Sequence, residues 1–269
     1  MVKGTFLRKE NRRESWKRQK EKHKDRKRNT KTERELQKTA GELRKTEGEK
    51  RKVAYIYDNG KFRQMIPHKR IERLMELYDV YCRTKDPDAR LFLVGSISEV
   101  PEYYTYLEEY RKKLGYKENQ IIMTGHVAFN EMIAYYRIAD AFVCMSEEEG
   151  FGMALVEAMF YHVPVVAYES GAVPETLGGS GVLLPTCKPD EIAEVLDSVI
   201  RNPATREQII TGQLRRVESV HRAGKPRMGS WIRVLAKHEE IRNGRGKTSW
   251  QSEWESIKLY KAMKSDKTG

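Results

Sequence analysis

The chain has 269 residues, with 51 Lys and Arg against 39 Asp and Glu for a formal charge of +12. That excess belongs to one end: residues 1–52 carry 21 basic and 9 acidic residues, whereas residues 65–222 carry 17 and 24. The middle of the chain is therefore not a polyanion-binding surface, and a membrane span is not expected, because no run of about 18 apolar residues occurs.

Residues 1–52 hold few apolar side chains, Phe6, Leu7, Trp16, Leu36 and Leu43 among them. Burying so little cannot offset the chain entropy lost on ordering, so this segment reads as a basic, low-complexity tail, disordered or helical. Phe6-Leu7 runs straight into charge, which is not the apolar core of a signal peptide. The tail has phosphate-binding charge but almost no aromatic residues for stacking on bases, so nucleic acid is not the expected partner.

From Val53 the pattern changes. Val53-Ala54-Tyr55-Ile56-Tyr57 reads as a strand, followed by a turn signal at Asp58-Asn59-Gly60. Residues 69–83 place Ile71, Leu74, Met75, Tyr78, Tyr81 and Cys82 at helical spacing. Leu91–Val94 is a short, wholly apolar strand. A helix is expected over 101–114, a strand at 121–123, a helix at 130–138, a strand at 140–145, a helix at 152–161 and strands at 164–168 and 182–184. Pro189-Asp190 then opens a helix with Ile192, Leu196, Val199 and Ile200 on one side.

Apolar strands that alternate with helices imply a parallel sheet covered on both faces, because each crossover helix packs back onto the sheet. The expected fold is thus a doubly wound α/β domain over residues 53–222, with ligands beyond the carboxyl ends of the strands. Residues 223–269 are basic again, with 11 Lys and Arg against 5 Asp and Glu. Trp231, Ile232, Val234 and Leu235, then Trp250, Trp254 and Ile257, suggest two amphipathic helices. They pack on the domain or, in a second reading, dock on an anionic membrane surface. Cys82, Cys144 and Cys187 are odd in number and widely spaced, which reads as reduced thiols in a cytoplasmic protein, peripheral to the inner membrane face in that second reading.

The most informative string is Glu149-Gly150-Phe151-Gly152-Met153-Ala154-Leu155-Val156-Glu157, set between a strand and a helix. Gly150 and Gly152 permit a tight turn and let backbone N–H groups approach a ligand. The helix start that follows suits a phosphate or diphosphate. Glu157 lies roughly 7–8 Å along that helix at about 1.5 Å per residue, so Glu149 and Glu157 can receive hydroxyls at opposite ends of one extended polyhydroxylated ligand. Other strings carry less. Asp86-Pro87-Asp88 reads as a connection rather than a metal site, Glu147-Glu148-Glu149 lacks a calcium-type loop, and Gly178-Gly179-Ser180-Gly181 has no following Lys-Ser/Thr. No metal is expected.

This part of the chain resembles the C-terminal, donor-binding domain of retaining GT-B glycosyltransferases with the E-x7-E motif (glycosyl transferases group 1 type). The resemblance runs through I-P-H-K-R at 66–70, D-A-R-L-F-L-V-G at 88–95, T-G-H-V at 124–127 and A-Y-Y-R-I-A-D-A-F-V at 134–143. It continues through E-G-F-G-M-A-L-V-E-A-M at 149–159, V-P-V-V-A-Y at 163–168 and G-A-V-P-E-T at 171–176.

The resemblance implies a nucleoside-diphosphate sugar as substrate, bound without a metal or other cofactor. Glu149 would hold hydroxyls of the donor sugar, and the backbone at Phe151, Gly152 and Met153 would meet the sugar or its diphosphate. Glu157 would hold the ribose, and His126-Val127 would lie against the base. Lys69 matches the lysine of the family's diphosphate clamp. The family's arginine stands five residues earlier, where this chain has Gln64, and Arg63 beside it is the candidate. Family enzymes also carry an N-terminal acceptor-binding domain, for which the 64 residues before Met65 leave no room. The expectation is an incomplete glycosyltransferase that needs an acceptor-domain protein chain. The alternative is a noncatalytic GT-B-like binding or assembly module, or a gene remnant, that engages a partner through its basic ends.

Overall fold

The computed structural model describes residues 52–56, 65–96, 100–150 and 152–222 together with Ile232, Leu235 and Ala236. All of these except Ala236 belong to one compact unit. Most of the expected basic tail at 1–52 and C-terminal extension at 223–269 lies outside the described residues. Ile232 and Leu235, one helical turn apart, are helical and buried.

Six strands form one sheet: β1 (Lys52–Ile56), β2 (Arg90–Val94), β3 (Ile121–Gly125), β4 (Ala141–Cys144), β5 (Val165–Tyr168) and β6 (Val182–Leu184). Their order is β3-β2-β1-β4-β5-β6, and every pairing is parallel. Val53 stands between Leu91 on β2 and Ala141 on β4. The chain thus steps outward from β1 in one direction, then returns to β4 and steps out in the other. The strand order reverses between β1 and β4, and in sheets of this kind ligands bind at that switch point, beyond the carboxyl ends of the strands.

Every residue of β2 and β4 is buried, as strands covered on both faces must be. At the two edges, β3 and β6 are partly open, and Leu183 is exposed. The helices are α1 (Ile71–Thr84), α2 (Pro101–Lys113), α3 (Phe129–Ile138), α4 (Met153–Phe160), α5 (Val173–Leu177), α6 (Pro189–Arg201) and α7 (Pro203–Arg222). α1 packs against α6 and α2, and α4 packs against α7 and α5. The fold is therefore the doubly wound α/β sheet that the strand pattern implied.

Helix α1 starts two residues later than its periodicity suggests. Pro67–Lys69 form a 3-10 turn, and Arg70 then takes a left-handed backbone (φ 52°) that separates this turn from the α-helix. The break leaves Lys69 off the helix, beside the loop that follows β4. The start of α1 is held by Tyr103 on α2, whose hydroxyl accepts from Ile71 N–H (3.1 Å) and donates to Glu72 (2.6 Å).

α7 is the largest element without a clear signal in the sequence. It spans 20 residues but buries only Gln213, Val217 and Val220 completely, too thin a stripe to register as amphipathic periodicity. Gln213 acts in place of a strand neighbour: its amide oxygen accepts from Val165 N–H and its amide nitrogen donates to Val163 C=O, both at 2.8 Å. α5, by contrast, is only five residues long, with Pro174 in its first turn.

Candidate donor-binding site

The site is built from the loops at the carboxyl ends of the strands. Met65 N–H donates to Ser96 C=O (2.9 Å), tying the segment before α1 to the end of β2. Glu147 N–H donates to His68 C=O (2.9 Å), tying the loop after β4 to the same segment. Ser170 Oγ donates to Ser146 C=O, and Ala172 N–H to Glu149 C=O (2.9 Å), which adds the loop after β5. These backbone links converge on Glu149.

They bring together two of the residues singled out in the sequence. Lys69 Nζ donates to Glu149 Oε1 at 2.7 Å, with both side chains only slightly exposed (11% and 13%). Removal from water strengthens such a pair and fixes its geometry. Cys144, at the end of β4, lies beneath them with its Sγ 3.8 Å from the same carboxylate oxygen. Burial, and after it the Glu149 charge, pushes the Cys144 thiol up to about 12, so it stays protonated and donates to the carboxylate.

A second ion-pair set braces the loop from outside. Glu147 lies between Arg70 (2.8 Å) and Arg73 (2.7 Å), and Arg70 also reaches Glu72 (3.3 Å). The paired Arg70 guanidinium, with Arg73 adding to it, holds the Glu147 carboxyl below its ordinary range. The acidic run 147–149 is thus partly neutralised by α1 and the turn before it. Neither contact was visible in the sequence, because each joins segments more than 70 positions apart.

The glycines divide. Gly152 caps α4 in a left-handed conformation (φ +60°), where a Cβ would meet Leu155 at 2.8 Å. Gly150 is exposed, its φ is not positive, and a Cβ there would point into open space. Its backbone conformation does not demand glycine, unlike the tight-turn reading of the string. The glycine that the loop does require is Gly171 (φ +49°), packed directly on the Glu149 backbone.

Met153, half-buried, begins α4. Exposed His126 and buried Val127 follow β3 at the same end of the sheet, with β2 and β1 between them and β4. Glu157 is fully buried, and its Oε2 accepts from Tyr136 Oη at 2.8 Å. Arg63 and Phe151 lie outside the described residues. Among the described residues, no group of three or more His, Cys, Asp and Glu is arranged to hold a metal ion, and no helix is long and apolar enough to cross a membrane.

A six-stranded parallel sheet in this order, with an ammonium–carboxylate pair at its switch point, defines a Rossmann-like domain of the kind found in GT-B proteins. Residues 44–215 match the sequence model of the family described as glycosyl transferases group 1, and the chain belongs to that family. Among the relatives it resembles are an N-acetyl-alpha-D-glucosaminyl L-malate synthase from Bacillus anthracis and a trehalose synthase from Thermococcus litoralis. The first is 26% identical over 204 residues, which is 75% of this chain and 45% of the relative. The second is 32% identical over 105 residues, 37% of this chain and 26% of the relative. The matched part of the chain thus spans less than half the length of either relative.

Two solved structures extend the likeness. The C-terminal domain of a glycosyl transferase group 1 family protein (LpcC) from Francisella tularensis is 26% identical with a TM-score of 0.53, over 63% of this chain and 85% of that one. Anabaena HepE, crystallised with UDP and glucose, shares the fold at 21% identity and a TM-score of 0.57, over 74% of this chain and 51% of its own.

Proposed function

We propose that this domain binds the donor of a retaining glycosyltransferase, a nucleoside-diphosphate hexose, without a metal ion. The observation that carries the reading is the Lys69–Glu149 pair at the switch point, clamped by hydrogen bonds from the neighbouring loops. Lys69 supplies a fixed positive charge where the diphosphate departs, and the start of α4 adds its backbone dipole at the same place. Glu149 receives sugar hydroxyls and orients the ring for attack on the face that the diphosphate leaves. Glu157 takes the ribose, and His126-Val127 take the base. The solved complex of HepE with UDP and glucose supports the class of ligand.

Transfer further requires an acceptor surface and the exclusion of water from the reacting carbon. We infer that a second, acceptor-binding domain supplies both, and that the residues described here bind donor without turning it over.

The test is a thermal melt of the full chain with uridine, guanosine and adenosine diphosphates. At least one raises the melting temperature, and Lys69→Met and Glu157→Ala each abolish the rise. A folded wild-type chain whose melt is unmoved by all three, at millimolar concentration, overturns the donor reading. A rise that survives both substitutions places the nucleotide elsewhere.

A further inference from the structure

Tyr136 stands in a string that points to the family, yet the reading of the motif gives it no task. It lies on α3 and is fully buried. Its ring stacks on Tyr161 (centroids 5.6 Å, 21° between planes) and leans on Phe142 (6.2 Å, 34°). Held between an aromatic residue just beyond α4 and one on β4, the ring has little freedom, so the place of its hydroxyl is set by the core.

That hydroxyl has one proton and lies within reach of Glu157 Oε2 at 2.8 Å and Ala154 C=O at 3.3 Å. The shorter, charge-assisted bond takes it. A fully buried carboxylate needs such donors, because its desolvation is costly. Tyr136 therefore both supplies a hydrogen bond to the buried Glu157 carboxyl and sets the rotation of its plane. It reaches from a helix 21 positions upstream, so the orientation of Glu157 does not rest on α4 alone.

We propose that Tyr136 is a positioning residue for the nucleotide: its phenol aims the Glu157 carboxylate at the ribose diol of the donor. The inference rests on the donor reading above and adds to it the group that prepares the second glutamate. Tyr136 touches no reacting atom. Its effect passes entirely through Glu157 and is therefore confined to ligands that carry both ribose hydroxyls.

The experiment is a binding cycle on the full chain. The probes are uridine or guanosine diphosphate, whichever raises the wild-type melt, and the 2′,3′-dideoxy form of the same nucleotide. Wild type binds the dideoxy form roughly tenfold more weakly, as expected for loss of hydrogen bonds to a charged group. Tyr136→Phe weakens the natural nucleotide by about the same factor and leaves the affinity for the dideoxy form unchanged, so the two losses do not add.

Because Tyr136→Phe removes a hydrogen bond from a buried group, its melt without nucleotide is first shown to match a folded chain, which keeps a loss of affinity apart from a loss of fold. Equal weakening of both nucleotides by Tyr136→Phe, or tighter binding of the natural one, overturns the proposal. A wild type that binds both nucleotides equally removes Glu157 from the ribose and takes the proposal with it, while leaving the Lys69–Glu149 site standing. A wild type that binds neither defeats the donor reading itself.

Discussion

Gly171→Ala tests whether the loops around Glu149 act as one packed unit. At Gly171 the backbone is left-handed (φ +49°), and an added Cβ would lie 2.6 Å from Glu149 O and 2.9 Å from Glu149 N. The first contact is about 0.8 Å short of an ordinary 3.4 Å approach, and its partner is backbone rather than a flexible side chain. The loops after β4 and β5 must part by roughly that distance, which also strains the Ala172 N–H bond to Glu149 C=O.

A left-handed alanine costs about 1–2 kcal/mol and overpacking about 1–3 kcal/mol, offset by about 0.4–1 kcal/mol from the stiffer unfolded chain. The net loss is about 1–5 kcal/mol, and each kcal/mol lowers the melting temperature by roughly 2–4 °C for a chain of this size. Glu149 moves with its backbone, so its carboxylate leaves the position set by Lys69. On the proposed donor reading, affinity for the nucleoside diphosphate, measured by titration calorimetry, falls at least about tenfold, since displacements near 1 Å carry penalties up to roughly 100-fold. Gly150→Ala is the control. Its Cβ meets nothing within 4 Å, so stability stays within about 0.5 kcal/mol. A Gly171→Ala protein that melts with wild type and binds donor equally would refute the argument.

Further outcomes follow from the same coordinates. Gln213→Leu strands Val165 N–H and Val163 C=O in the core. At about 1–3 kcal/mol for each lost partner, the urea midpoint should report about 2–6 kcal/mol, and a loss below about 1 kcal/mol would count against the strand-mimic role. Iodoacetamide at pH 8 should label half-buried Cys187 and spare Cys82 and Cys144. Burial pushes those two thiols up to about 11 and about 12, so peptide mapping that finds them modified in native protein would contradict their placement. Arg70 holds the folded-state carboxyl of Glu147 below its ordinary value of 4.5. Its stabilisation is therefore complete above that pH and is lost as pH falls through the depressed value. The small stability gap between wild type and Glu147→Gln, read by denaturant titration, should be constant from pH 7 to about 5 and close in more acidic solution. A gap that widens with acidity would reverse the sign of the argument.

Much of the fold can be read directly from the residues. Leu91–Val94 and Ala141–Cys144 read as strands because strands buried on both faces are continuous apolar runs. The spacing of Ile71, Leu74, Tyr78 and Tyr81 reads as a helix because one face meets the core. The site is legible to the extent that its parts are local. The glycine-rich loop, the helix behind it and the two glutamates occupy one short string, and Lys69 stands in another that the family shares.

What stayed hidden depends on contacts between distant segments. α7 is held partly by one buried amide that substitutes for a strand, a role that no apolar periodicity announces. Arg70 takes a left-handed backbone, as no Arg does by preference, with its side chain paired to Glu147 and Glu72. Gly150 and Gly171 exchange importance because only the packed loops reveal which of them faces open space and which faces a backbone. The sequence alone determined the six strands, their parallel doubly wound arrangement and the family, since apolar runs, periodicity and motif spacing are properties of nearest neighbours along the chain. The tertiary structure alone decided that Lys69 meets Glu149, that Cys144 lies beneath them and that Tyr136 holds Glu157, because hydrogen-bond geometry and burial exist only once distant segments have packed.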